Sequence, residues 1–189
     1  NYHKSPPSKT KNKNEIVFIG RLRIGSDIIL LLEVLKYLKV NHNISLHLKI
    51  IGSGEEKNNL IKFSKKLQLS KNIKFFGLQK KINPILRKTD LFINSSYFEG
   101  FPNSVVEAIN FNIPVICSQS YGGINEILLN GKCGTIFKNG DSNDLSNKID
   151  KFYLNPSKFY LMSKIAKINI KRFSLQKNLT NYDKLFKRI

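Results

Sequence analysis

From Glu15 onward the chain repeats one unit: a short apolar run that stops at Gly or Ser, then an amphipathic stretch. The apolar runs are "EIVFIG", "SLHLKIIG", "IKFFG", "LFINSS", "IPVICS" and "GTIF". Their length and their punctuation read as strands. Between them, "SDIILLLEVLKYLK", "EEKNNLIKFSKKLQL", "KINPILRKT", "PNSVVEAINF" and "GGINEILLNG" carry helical spacing and helix starts, the last closed by Gly131. Three mostly helical stretches follow from Asp141 to Ile189. This alternation predicts an α/β fold: a Rossmann-like, doubly wound parallel sheet covered on both faces, with C-terminal helices. In such sheets ligands collect at the carboxyl ends of the strands, where loops enter helices.

The 189 residues suit one domain with a sizeable core. Residues 1–14, "NYHKSPPSKTKNKN", are polar, basic and Pro-containing and read as a linker. Residues 15–172 are expected to form the Rossmann-like domain and 173–189 a closing helix. The start at Asn1, with neither Met nor a signal-like segment, is expected to mark an excised portion of a longer chain. No apolar run reaches the roughly 18 residues of a membrane-spanning helix. Cys117 and Cys133 supply neither a disulfide framework nor metal-ligand spacing, so a reducing cytoplasm is the expected setting.

With 32 Lys and Arg against 13 Asp and Glu, the formal charge is +19. A charge of this size suits nucleic acid or an anionic membrane surface. The lysines are spread through almost every segment without an aromatic-basic motif, so nucleic acid is not an expected partner. Peripheral contact at the inner membrane face is retained as an expectation. The three histidines, His3, His42 and His47, fall outside every strand-to-helix loop that could hold a ligand.

Four such loops stand out: "GRLRIGSD", "GSGEE", "SSYFEGFPNS" and "SQSYGGINE". Arg21, just after Gly20, could pair bidentately with phosphate oxygens. "GSGEE" ends in two acids that would repel an anion, so it is a wall of the site at most. In "YGGINEI", Gly122 and Gly123 could admit a diphosphate or a sugar, with an ordinary flexible loop the equal alternative. The strongest loop is "SSYFEGFPNSVVEAI", residues 95–109. Pro102 suits a first helical position, with Asn103 and Ser104 just inside. The helix start offers free N–H groups and a positive dipole end. Gly100 lets the loop approach without a side chain, and Glu107 lies about 7.5 Å beyond Pro102 along the helix. Glu99 stands on the other side. Acid, anion-binding amides and acid fit a ribose, a diphosphate and a hexose, since carboxylates accept hydrogen bonds from vicinal diols. A nucleoside diphosphate sugar is such a molecule.

"EGFPNSVVEA" resembles the Glu-x₇-Glu motif of the retaining glycosyltransferases of family 4, which have the GT-B fold. "IVFIGRL", "LKIIGSG", "IKFFG", "IPVICS" and "GGINEILLNGKCGTIF" fall in the order that family shows, so the resemblance runs from about Ile16 to Asp144. It extends to members that build bacterial capsule, O-antigen or similar polysaccharides from UDP-sugars. The resemblance implies one half of a GT-B fold, the donor half. Glu107 would hold the ribose hydroxyls, Glu99 those of the transferred sugar, and Arg21 beside Gly20 the diphosphate. The backbone from Gly100 through Phe101, Pro102, Asn103 and Ser104 to Val105 would meet the sugar and diphosphate. The base would rest between the "GSG" and "FFGLQ" loops. Arg21 and Glu99 would serve catalysis, with no metal and no cofactor beyond the UDP-sugar.

Two departures from the family pattern matter. The loop after "GRL" is shorter by about two residues, and Ile24 stands where the family has Lys, so one phosphate cation is missing unless Arg23 reaches in. The chain also holds only the donor half, which leaves a lipid-linked or saccharide acceptor to an N-terminal domain supplied in cis or in trans. Two readings remain open: a hexosyl- or N-acetylhexosaminyltransferase donor domain, and a catalytically incomplete nucleotide-sugar-binding module.

Overall fold

In the computed structural model, residues 14–187 are described; the expected linker, Asn14 apart, and His3 lie outside them. Six strands form one parallel sheet: β1 Glu15–Ile19, β2 His47–Ile51, β3 Ile73–Gly77, β4 Leu91–Asn94, β6 Val115–Ser118 and β8 Thr135–Phe137. Their order across the sheet is β3-β2-β1-β4-β6-β8. Helices α1 Ile28–Asn41, α2 Lys57–Lys66, α3 Asn83–Leu86, α4 Asn103–Asn110, α5 Ile124–Ile127 and α6 Ser142–Leu154 follow the strands. Two further helices, α7 Pro156–Asn169 and α8 Leu175–Phe186, close the described chain.

The doubly wound architecture is present, and its cause is visible residue by residue. Along β1, Ile16 and Phe18 enter one hydrophobic cluster while Val17 enters the other. The same period of two sends Leu91 and Ile93 one way and Phe92 the other. On the first face the strands meet Leu31, Leu35 and Leu38 of α1 with Leu145, Ile149 and Phe152 of α6. On the second they meet Val105, Ala108 and Ile109 of α4, Ile124 of α5 and Ala166 of α7. Neither face could stay wet, which is why β4 and β6 are buried at every residue. Helix starts are set locally: Asp141 accepts from the N–H of Asp144 at 2.9 Å, and Asn155 from that of Lys158 at 3.3 Å, with Pro156 opening α7.

Two features depart from the sequence expectations. Phe98–Glu99 (β5) and Tyr121–Gly122 (β7) pair as a separate two-stranded parallel ribbon, where loops were expected. The second concerns the start of α4. Pro102 was placed at the first helical position, but its ψ of 87° is non-helical and the helix begins at Asn103. Pro102 is the cap, and its carbonyl accepts from the N–H groups of Val105 and Val106.

Candidate functional site

The strand order turns back at β1. The chain lays β2 and β3 on one side of it and then returns to place β4 on the other. β1 and β4 pair only at Ile16↔Leu91 and Val17↔Phe92, so their carboxyl ends part and open a crevice. A cavity of about 580 Å³ occupies that crevice. Gly20, Arg21 and Arg23 line it from the loop after β1, and Glu99, Phe101 and Pro102 from the loop after β4. Asn103, Ser104 and Glu107 of α4 complete its wall. Residues distant in sequence thus converge on one space because the topological switch point brings their loops together.

The walls are held by a buried polar network. Asn94 ends β4; its amide donates to Glu99 Oε1 at 3.4 Å, and its Oδ1 accepts from the N–H of Ser96 at 3.1 Å. Ser95 Oγ donates to the Ser26 carbonyl at 2.8 Å, which ties the β4 loop to the β1 loop. Ser118 Oγ donates to the Ser96 carbonyl. The N–H of Tyr97 reaches the Gly25 carbonyl at 2.9 Å. The Tyr97 hydroxyl bonds Asp27, and that bond is the leading cause that raises it above the ordinary phenol range. Asp27 sits in a left-handed conformation at φ 45°, and burial raises its carboxyl above the usual range, partly offset by the Tyr97 bond. Burial first, and then the Glu99 charge, push the Cys117 thiol up, so it stays protonated. None of Asn94, Ser95, Ser96 and Ser118 was expected at the site. The available signal was "NSS" at the end of an otherwise apolar strand.

At the start of α4 the N–H groups of Asn103 and Ser104 have no intrahelical acceptor, and Pro102 has no N–H. No acidic residue stands in the first helical turn to compete for them. Glu107 follows Asn103 by four residues and so shares its face. Burial raises the Glu107 carboxyl above the ordinary range. Val105 is fully buried in the core, so its side chain is withdrawn from the cavity and only its backbone remains near. Gly100, expected to let the loop approach a ligand, is not among the residues that line the cavity, and a Cβ added there would meet nothing within 4 Å. Phe101 lies edge-on against Phe173 with ring centroids 5.2 Å apart.

The glycines of two loops make close backbone contacts. A Cβ on Gly122, whose φ is +118°, would lie 1.8 Å from the Glu99 carbonyl oxygen. The N–H of Gly123 donates to the Gly100 carbonyl at 2.8 Å. These glycines let β7 press on β5 and so hold Glu99 in place; they do not line the cavity. Likewise a Cβ on Gly54 would meet the Leu22 carbonyl oxygen at 2.1 Å. "GSG" thus makes a close backbone contact with the loop after β1. Ile24 begins a short 3₁₀ turn, Ile24–Ser26, and is 81% exposed, while its neighbour Arg23 lines the cavity.

Residues 2–172 match the family described as Glycosyl transferases group 1. This chain belongs to that family. The group 1 glycosyltransferase domain has the fold of the C-terminal half of GT-B enzymes, and a crystal structure of TarM from S. aureus superposes with a TM-score of 0.84. That structure is 24% identical, and the match covers 97% of this chain and 37% of TarM. An uncharacterized glycosyltransferase of Methanocaldococcus jannaschii is 42% identical over 79 residues, 42% of this chain and 20% of its own length. The N-acetylgalactosamine-N,N'-diacetylbacillosaminyl-diphospho-undecaprenol 4-alpha-N-acetylgalactosaminyltransferase of Campylobacter jejuni is 26% identical over 152 residues, 76% of this chain and 40% of its own length. The group 1 domain therefore spans less than half the length of these curated relatives. Among its described residues no helix is long and apolar enough to cross a membrane.

Proposed function

We propose that this domain binds a UDP-sugar across the β1–β4 crevice and presents its hexosyl or N-acetylhexosaminyl group for transfer, with retained configuration, to a saccharide or lipid-linked acceptor. One observation carries the reading: two arginines, the open amide end of α4 and two separate carboxylates all converge on a single cavity. Its volume of about 580 Å³ falls within the range of small-molecule sites. Diphosphate oxygens meet Arg21, Arg23 and the amides of Asn103 and Ser104. The ribose diol donates to Glu107, and sugar hydroxyls donate to Glu99, which Asn94 and the β5–β7 ribbon hold at a fixed position. The base rests toward the loops after β2 and β3. Attack by the acceptor hydroxyl on the face from which the diphosphate leaves retains configuration, and Arg21 with the α4 dipole stabilises the charge that develops. TarM was crystallised with UDP, and the C. jejuni relative is named for a diphospho-undecaprenol acceptor; both support the reading. Acceptor contacts fall to an N-terminal domain in cis or in trans, at the cytoplasmic face of the inner membrane.

Titration calorimetry with UDP tests the donor reading. Glu107→Ala is expected to weaken UDP about 10- to 100-fold, the loss of hydrogen bonds to a charged group. The pH dependence has a definite sign. Diol donors favour the ionised carboxylate, whereas burial favours the neutral one. UDP affinity therefore falls on acidification, beginning above the ordinary carboxylate pKa of about 4.3. Glu107→Gln should lack that component, and an unchanged pH profile in the glutamine variant would remove Glu107 from the ribose.

A second reading, the incomplete binding module, draws on the exposed Ile24. Ile24→Lys is expected to raise UDP affinity about fivefold, as one added partly screened charge contact. No gain would mean that Arg23 already supplies the second cation.

A further inference from the structure

Helix α7 has one face that the fold does not use. Phe159, Ser163 and Ala166 point inward, and Ser163 Oγ donates to the Asn112 carbonyl at 3.1 Å. On the opposite face, Leu161, Ile165 and Ile168 form a stripe at helical spacing and are 60%, 40% and 69% exposed. Lys158 borders this stripe on one side and Lys164 on the other, and exposed Lys171 follows in the 3₁₀ turn Ile170–Phe173. No Asp or Glu occurs between Asp150 and Asp183. The result is an apolar ridge between two cationic rims with no carboxylate among them.

Helix α8 also exposes apolar residues, Leu175, Leu179, Tyr182 and Phe186, but its charge pattern differs. Its lysines, Lys177 and Lys184, lie on the opposite face, and Asp183 borders the stripe. That arrangement suits burial against protein. The α7 arrangement suits a surface that is apolar in depth and anionic at its boundary, which describes a bilayer containing anionic phospholipid.

We propose that the outward face of α7 docks on an anionic phospholipid surface, with Leu161, Ile165 and Ile168 entering the acyl boundary and Lys158, Lys164 and Lys171 meeting the headgroups. The location has a functional consequence. The 3₁₀ turn Ile170–Phe173 follows α7 directly, and Phe173 packs edge-on against Phe101 at the wall of the cavity. Docking through α7 brings the crevice close to the bilayer, where a lipid-linked acceptor would be presented. The proposal assigns the face that makes the membrane contact, and its failure leaves the donor site untouched.

The test is co-sedimentation of the 189-residue chain with vesicles of phosphatidylcholine alone or of phosphatidylcholine mixed with phosphatidylglycerol. Binding is expected only to the mixed vesicles and should weaken with added salt. Ile165→Ser with Ile168→Ser should lower partitioning about tenfold or more, and Lys164→Gln about fivefold. Leu179→Ser on α8 should change nothing. UDP affinity measured on every variant reports that the fold and the donor site are intact. Absence of vesicle binding by the unaltered chain overturns the proposal. So does equal binding to neutral and anionic vesicles, or loss of binding in Leu179→Ser with retention in the α7 double variant.

Discussion

Replacing Gly52 by alanine is expected to lower the thermal midpoint by about 10 °C. Gly52 follows β2 at φ +140°, and a Cβ there would lie 1.8 Å from the carbonyl oxygen of Gly20. That oxygen belongs to the backbone and cannot rotate away. The N–H of Gly20 is bonded to the Ile51 carbonyl at 3.0 Å, and the N–H of Gly52 to the Gly77 carbonyl at 2.9 Å. Relief of the clash would therefore pull apart the ends of β1, β2 and β3 together. Overpacking costs about 1–3 kcal/mol and a left-handed residue with a side chain a similar amount, for a sum of about 3–5 kcal/mol. At about 2–4 °C per kcal/mol for a domain of this size, the shift is about 10 °C. Gly25→Ala is the control, because nothing lies within 4 Å of its added carbon. Scanning calorimetry of both variants decides the matter: equal midpoints would mean that the loops after β1 and β2 do not touch.

Arg21→Ala should produce the largest functional loss. Arg21 is exposed at the mouth of the crevice, and no ion pair engages it among the described residues, so its guanidinium is free to fork onto a diphosphate. Losing a charge-assisted contact of about 2 kcal/mol weakens UDP binding about 30-fold. On the proposed function, transfer by the assembled enzyme is expected to fall further, about 10²–10³-fold, because a contact to the leaving diphosphate would strengthen as charge develops. Uridine, which lacks phosphate, should bind the variant as it binds the unaltered chain. Arg21→Lys should recover part of the UDP affinity, since an ammonium keeps the charge but not the fork. Equal losses for UDP and uridine would place Arg21 elsewhere than on the phosphates.

Part of what lines the cavity was legible in the sequence. Gly20 and Arg21 stand in the loop after β1, Glu99 in β5, Phe101 and Pro102 in the loop before α4, and Asn103 and Ser104 in the first turn of α4; the alternation of strands and helices already puts these segments at the carboxyl edge of the sheet. What could not be read was how Glu99 is held. The ribbon of β5 and β7 has only two residues on each side, too few for any periodic signal. Gly122 read equally as room for a ligand and as an ordinary loop, and the space a Cβ would take there is filled by the Glu99 carbonyl. Arg23 and Ile24 posed a similar problem. Adjacent in sequence, they differ in whether they reach the cavity, and that depends on the local turn at Ile24–Ser26.

The amino-acid order by itself determined the six strands of the main sheet, the main helices and the doubly wound class. Those follow from burying apolar side chains at periods of two and 3.6, a local property of the chain. Only the tertiary structure decided the hydrogen bonds that link Ser95 to Ser26 and Ser118 to Ser96, and the contact of Gly122 with Glu99. Such contacts join residues far apart in the chain. Their existence depends on where β1, β4 and β6 end relative to one another, which no local periodicity encodes.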